Sequence, residues 1–167
     1  MIVNITLVGD RQIIARLDSM PQAVNEALYA KVLSLSLKLE AYVKTNKLNG
    51  QVLNRITGAL SRSIHSKVER AVSAVFGMVF SSGDVKYAGI HEYGGVTPPH
   101  VIVPKKANVL AFMGKSGKMT FAMRVNHPGS KMPERSFLRS SLTDMSAQIS
   151  TEMKTAVVQA VQKQVKG

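Results

Sequence analysis

The sequence predicts an α+β fold in which a mostly antiparallel sheet packs against two long amphipathic helices, with a projecting hairpin and an extended loop. Two stretches with apolar residues at spacings of three and four predict the helices. Segments rich in β-branched and aromatic residues lie between them and predict the strands. The length of 167 residues suits a single domain over 1–167. Its core is expected over about 2–112 and 119–164.

The first strand is expected in the alternating segment "IVNITLV" at 2–8. The first long helix is expected to start with Ser19 as its N-cap and Pro21 in its first turn, and to end near "TNKLNG" at 45–50. Its apolar stripe comprises Val24, Leu28, Val32, Leu35, Leu39 and Tyr42.

Residues 61–82 predict two strands joined by a hairpin near Glu69 and Arg70. Residues 107–125 predict a second hairpin with the tip "GKSGK". This tip is not a phosphate-binding loop, because Val109 stands where that motif needs a glycine and a strand follows instead of a helix. No nucleotide or other cofactor is expected.

The last long helix is expected after "HPGSKMPERS". Its apolar stripe begins at Phe137 or Leu138 and continues through Leu142, Met145, Ile149, Met153, Ala156 and Ala160. The segments 94–106 and 126–135 show neither the helical period of 3.6 residues nor the strand period of two, and they are expected to be irregular loops.

Charge limits the classes of partner. The chain has 22 Lys and Arg against 10 Asp and Glu, a net charge of +12, which favours acidic proteins, nucleic acid or anionic membranes. The cations are dispersed, which is weak support for nucleic-acid recognition. The absence of cysteine excludes disulfides and thiolate metal sites. No secretion signal or membrane span is expected, because the longest apolar run is about half of the ~20 residues that a spanning helix needs.

The segment "VKYAGIHEYGG" at 85–95 places His91 beside Glu92. It predicts a short helix over 85–93, with Asp84 as N-cap and Gly94 just past its end. Catalysis would require a nucleophile or a second carboxylate beside His91 or Glu92, and the sequence offers neither. We therefore expect no catalytic or metal centre. The alternative is a metal site assembled from distant histidines, namely His65, His100 and His127.

Five segments occur in a characteristic order: "LNGQVLNRITGALSRSI" at 48–64, "YAGIHEYGG" at 87–95, "VIVPKKANVLAF" at 101–112, "VNHPG" at 125–129 and "PERSFLRSSL" at 133–142. Together they resemble the tail-completion or head-tail joining proteins of long-tailed, lambda-like bacteriophages. The resemblance covers roughly residues 20–145. It implies an α+β virion protein without enzymatic activity, which forms an oligomeric ring at the neck or head-proximal end of the tail.

The matching residues fall into three groups along the chain. They are Thr57, Gly58, Leu60, Ser63 and Ile64 at a helix-to-strand junction; Tyr87, Ala88, Glu92, Tyr93 and Gly94 in the short helix; and Pro128, Gly129, Pro133, Phe137, Leu138 and Leu142 before and within the last helix. The chain departs from the family's proline-rich helix entry at Glu134, Ser136 and Ser140. This departure leaves the start of the last helix, and the contacts of Arg135 and Arg139, without support from the resemblance.

The resemblance implies that the chain binds itself in a ring of hexameric or related symmetry and binds other neck, connector and tail-tube proteins. It leaves open whether the basic residues face phage DNA in the lumen or an acidic protein. It implies no membrane, a place in the virion, and the host bacterial cytoplasm during assembly. Alternatives are a tail terminator ring on the same fold and a basic nucleic-acid-binding protein. The loop and hairpin tip supply the candidate assembly contacts, which are Pro98, Pro99, His100, Gly114, Lys115, Gly117 and Lys118.

Overall fold

The structure, a computed structural model, describes residues 2–5, 22–71, 74–83, 85–105, 107–114 and 116–165. Its helices are α1 (Gln22–Tyr42), which continues into a π-helical turn (Val43–Lys47), α2 (Ala59–Ser63), α3 (Ala88–Tyr93) and α4 (Leu138–Val165). Its strands are β1 (Ile2–Ile5), β2 (Ile64–Arg70), β3 (Val75–Ser81), β4 (Gly95–Thr97), β5 (His100–Ile102), β6 (Leu110–Met113), β7 (Met119–Ala122), β8 (Val125–His127) and β9 (Ser130–Met132). The predicted α+β class is confirmed.

The central sheet has three antiparallel strands in the order β1-β3-β2. The predicted first hairpin is confirmed, but Glu69 and Arg70 still pair within β2, opposite Phe76 and Val75. The strands are therefore joined just after Arg70, where the Ala71 N–H donates to the Ala74 carbonyl. The part of the predicted first strand beyond residue 5 lies outside the described residues.

The core lies between this sheet and the two long helices. Helix α1 packs on β2 and β3 and also against α4. Gly77 of β3 permits the close approach, because a Cβ there would collide with the Ser36 hydroxyl of α1. The buried apolar side chains are Val24, Leu28, Leu35, Leu39, Val43, Leu48, Leu53, Ile64, Val79, Ala88, Phe137, Leu138, Met145, Ile149, Met153 and Ala156. Both predicted helical stripes are therefore confirmed as core-facing, with Val32, Tyr42, Leu142 and Ala160 partly buried.

Polar contacts join the outer sides of the two long helices. Glu152 of α4 accepts from Lys38 of α1 at 2.8 Å and lies 3.4 Å from Lys31. Asp144 of α4 accepts from Tyr42 at 3.0 Å and pairs with Lys47 at 2.7 Å. The proposed cap of α1 at Ser19 and Pro21 lies outside the described residues. No helix in the described part of the chain combines the length and apolar character required to cross a membrane.

The prediction of irregular loops at 94–106 and 126–135 is wrong, because the two segments pair with each other. Strand β4 pairs with β9, β5 with β8 and β6 with β7, all antiparallel. The three ladders are nested one inside the next along the chain, and the described residues of 95–132 are together called the arm below. Its returning strand, 119–132, would span about 45 Å if it were straight. The periodicity of strands this short is too weak to show in the sequence.

Prolines explain the first interruption of the arm. The β4/β9 and β5/β8 ladders share one register, which places Pro98 and Pro99 opposite Gly129 and Pro128. Proline has no N–H to donate, so the ladder cannot continue through this point. Gly129 has a φ of +86°, and a Cβ there would collide with the Thr97 carbonyl oxygen. Glycine is thus required where the Thr97 carbonyl lies this close to the opposite strand.

The arm contributes no buried residue to the core. Every described residue from 93 to 136 is exposed or only half-buried. The predicted core bounds of 2–112 and 119–164 are therefore too wide, because they included most of the arm. A ribbon of two strands has no second layer of its own to bury its side chains.

Candidate functional site

The segment around His91 and Glu92 forms a short helix at the base of the arm. Helix α3 begins at Ala88, later than the predicted residue 85, and the proposed cap Asp84 lies outside the described residues. His91 and Tyr87 share a face as expected, with ring centroids 5.9 Å apart in an edge-to-face arrangement. Gly94 ends the helix with a φ of +71°, which confirms its predicted role.

The Glu92 carboxylate binds the N-terminus of α4, which is distant in sequence. Its side chain is fully buried. Oε2 accepts from the backbone N–H groups of Phe137 at 2.8 Å and Leu138 at 2.9 Å. Oε1 accepts from the backbone N–H of Arg139 at 2.9 Å and the Ser136 hydroxyl at 2.8 Å. Since the first N–H groups of a helix have no partner within it, Glu92 caps α4 from outside.

Ser136 completes the cap. Its hydroxyl oxygen accepts from the Ser140 backbone N–H at 3.1 Å, so four consecutive N–H groups, at 137–140, have side-chain acceptors. The Ser140 hydroxyl donates to the Ser136 carbonyl at 2.6 Å. These two serines are departures from the family pattern, and here they stabilise the start of the helix.

Arg139 closes the cluster from the solvent side. Its Nε donates to Glu92 Oε1 at 3.2 Å, and its Nη2 donates to the Glu92 carbonyl at 2.9 Å and to Glu134 Oε1 at 2.7 Å. The guanidinium also lies over the Tyr93 ring, 4.6 Å from the centroid. The cluster of Glu92, Ser136, Arg139 and the N-terminus of α4 is called the clasp below.

The clasp favours the ionised form of Glu92. Burial raises the pKa of this carboxyl, but the backbone N–H groups of Leu138, Arg139 and Phe137 and the Ser136 hydroxyl together lower it by more. The net pKa of Glu92 is below its ordinary value. For His91, burial and the charge of Arg135 both lower the pKa, which favours the neutral ring.

The geometry of the clasp limits its chemistry. Five donors already occupy the oxygens of Glu92, which leaves this carboxylate without a free lone pair directed at a substrate. His91 Nδ1 is buried and has no hydrogen-bond partner within the described structure. Among the described residues, no three or more His, Asp or Glu side chains are grouped as metal ligands. The clasp therefore holds the base of the arm and the start of α4 together.

The helix-to-strand junction at 57–64 forms a second packed motif. Gly58 has a φ of +72°, and the Thr57 hydroxyl accepts from the Ala59 N–H at 3.3 Å. Ser63 is buried, donates to the Leu60 carbonyl at 2.8 Å and is 2.8 Å from the Ser81 hydroxyl. Ile64 is fully buried and begins β2. These residues act through packing and hydrogen bonding.

The remaining candidates lie on or next to the arm. His100 and His127 face each other across the ladder with rings stacked 4.9 Å apart, and Pro98, Pro99 and Pro128 lie beside them, exposed. At the tip, Gly114 donates to the Lys118 carbonyl and Gly117 has a φ of +73°. Lys115 lies outside the described residues. Pro133 follows the arm, Phe137 and Leu138 are buried, and Leu142 is half-buried.

Two features were missed from the sequence. The partners of Glu92 were not predicted, although the serines at 136 and 140 are typical of a helix start. The exposed apolar side chains of the outer arm were also missed; they are Val109, Phe112, Met113, Met119, Phe121 and Met123. The signal for them was present, because "LAFM" and "MTFA" contain only one polar residue between them and cannot bury both faces of a lone hairpin.

Comparisons with protein-family models, curated proteins and solved structures find no match for this chain. The resemblance to phage tail-completion proteins therefore stays a prediction based on the five segments quoted above.

Proposed function

We propose that this chain is a structural protein of a long-tailed bacteriophage, a head-tail joining or tail-completion subunit without enzymatic activity. It forms an oligomeric ring at the neck or head-proximal end of the tail. The observation that carries the proposal is the arm, a two-stranded ribbon with an exposed apolar outer part and no buried residue among those described. A joining subunit needs such a surface, because it must bind other proteins while its own core stays closed.

The order of the sequence segments supports the phage assignment. Two of them, "YAGIHEYGG" and "PERSFLRSSL", supply the two halves of the clasp. A structural role for both segments agrees with a family of non-enzymatic virion proteins. On this proposal the protein belongs to the virion, and to the host bacterial cytoplasm during assembly.

A second exposed apolar surface suits contact between copies. Leu33 and Leu37 of α1 are 39% and 52% exposed, and they border a shallow groove with Ala30 and Ala41. We call these four residues the α1 stripe. The neighbouring Lys38 is neutralised by Glu152. The stripe can therefore bury apolar area against another copy without bringing unpaired charges together.

Ring formation tests the α1 stripe. The double variant Leu33→Ser and Leu37→Ser is expected to shift the native mass of the purified protein towards the monomer, because both side chains lose apolar area at the interface. Its circular dichroism and thermal transition should stay close to wild type, since neither residue belongs to the buried core. Native mass measured over a range of protein concentrations decides the question. An unchanged oligomer would exclude the stripe as the self-interface.

The hairpin tip tests the joining role. Replacement of "GKSGK" at 114–118 by a two-residue Asn-Gly turn should leave the thermal transition close to wild type, because tight two-residue turns suit antiparallel hairpins. We expect the same change to impair ring formation or tail joining, measured as native mass and as infectious particles after complementation. A variant that assembles normally and supports infection would show that the tip is an ordinary surface turn.

A further inference from the structure

The outer arm has one face composed only of apolar side chains. In the β6/β7 register Ala111 is opposite Phe121 and Met113 is opposite Met119, which places all four on the same face of the hairpin. We call these residues the methionine face. Met113, Met119 and Phe121 are 69%, 60% and 66% exposed. An apolar ribbon left in water promotes aggregation, so this face needs a cover in the working state of the protein.

The charge of the arm indicates what kind of surface covers it. Between residues 93 and 133 the sequence has no Asp or Glu, and it has six cations: Lys105, Lys106, Lys115, Lys118, Arg124 and Lys131. They supply six of the net +12 charges of the chain. Because interfaces match charges of opposite sign, a partner of the arm is expected to be acidic around its apolar contact.

In the part of the chain that the structure describes, a second copy does not meet that requirement. All seven described carboxylates already form ion pairs with cations of their own chain; they are Glu26, Glu40, Glu69, Glu92, Glu134, Asp144 and Glu152. Within the described residues a second copy would thus offer the arm no free carboxylate. Its net positive charge would oppose the approach of another cationic surface.

Duplex DNA also fits less well than a protein. Affinity for DNA comes mainly from donors and cations that contact phosphates, and the methionine face has neither on its four side chains. Methionine side chains are flexible and polarisable, and they adapt to apolar protein surfaces. The face therefore suits a protein, while the flanking cations suit carboxylates.

We propose that the arm binds a different, acidic protein, whose apolar patch covers the methionine face while its carboxylates pair with the cations of the arm. This inference rests on the proposed function in one respect, because it names the partner class that the joining subunit would bind. The α1 stripe is a separate surface, so contact with another copy and contact with this partner can occur together.

Designed peptides provide the probe. A fluorescently labelled amphipathic peptide with leucines on one face and glutamates on the other represents the proposed partner, and a lysine-for-glutamate version is its control. Fluorescence anisotropy should show binding of the acidic peptide alone. The double variant Met119→Ser and Phe121→Ser should weaken this binding at least about tenfold, as expected for central apolar contacts. Leu33→Ser and Leu37→Ser, on the α1 stripe, should leave it unchanged.

Salt dependence separates charge pairing from apolar contact. The affinity for the acidic peptide should fall as salt rises from about 0.1 M to about 1 M, because the Debye length falls from about 10 Å to about 3 Å. Equal binding of the lysine peptide, or no effect of the Met119 and Phe121 substitutions, would overturn the proposal.

Two further measurements distinguish the other occupants. If a short DNA duplex displaces the acidic peptide at physiological salt, the occupant of the arm is nucleic acid and the proposed protein partner is wrong. A photo-crosslinking residue introduced at Phe121 that joins two copies in the purified protein would make the occupant a second copy. If the chain stays monomeric at all concentrations, the ring of the proposed function is contradicted. The peptide measurements still test, independently, whether the arm binds an acidic protein.

Discussion

Glu92→Gln is expected to lower the free energy of unfolding by about 2 to 4 kcal/mol, because hydrogen bonds to a buried charge and a helix N-cap are both lost. The amide of the variant presents an NH₂ group where the N–H groups of Phe137 and Leu138 now find an acceptor. The interaction with the positive end of the α4 dipole is weakened as well. Chemical denaturation followed by circular dichroism measures the loss.

A matched control is available on the sheet. Glu69 pairs with Lys67 at 2.6 Å, but its side chain is 50% exposed. Glu69→Gln should therefore change the stability by no more than about 0.5 kcal/mol. Equal effects of the two substitutions would show that the clasp contributes no more than a surface ion pair.

The pH dependence follows from the same contacts. Since the pKa of Glu92 is lower in the folded than in the unfolded chain, its contribution to stability is present above the unfolded value, near 4.5, and is lost as the pH falls through the folded value. Wild type should lose thermal stability in acid more steeply than Glu92→Gln, which has no carboxyl to protonate there. Parallel curves for the two proteins would contradict this assignment.

Leu39→Ala is expected to cost about 2 to 5 kcal/mol, because it opens a cavity in the core between α1, the sheet and α4. Leu39 is only 2% exposed. Leu142→Ala should cost less, since Leu142 is half-buried. Both variants should reduce soluble protein before any assembly defect can be measured.

The control for this comparison is Val158→Ala on the outer side of α4. Val158 is 53% exposed, so its truncation should change the free energy of unfolding by about 0.5 kcal/mol or less. Chemical denaturation of the three variants measures the order of their losses in free energy of unfolding. A Leu39 variant as stable as the Val158 variant would contradict the packing described for α1.

The long helices were predictable because their signal is local. Leu35, Leu39, Met145 and Ile149 repeat at helical spacings, and each is buried where the pattern requires. The glycine at the end of α3 was predictable for the same reason, since a positive φ just past a helix end favours glycine.

The hairpin at 107–125 was predicted and is confirmed by the pairing of β6 with β7, but the base of the arm and the clasp were not predictable, because both depend on contacts between distant segments. Gly95 pairs with Met132, and Glu92 binds the N–H of Phe137, 45 residues further along the chain. The pairing leaves little pattern within strands of three or four residues, and an acidic residue on a short helix gives no sign of which helix start it caps. The sequence could locate Glu92 in a motif but could not identify its target.

The closeness of the two ends of the arm has a consequence for how this protein can vary. Gly95 and Met132 are paired neighbours, while Glu92 and Phe137 lie outside them on the core side. The arm is thus an insertion whose two ends lie side by side, next to the clasp. Residues can be added or removed in facing pairs along it, each pair changing its reach by about 3.3 Å, without disturbing the clasp or the core. Related chains could in this way keep one core while their arms differ in reach.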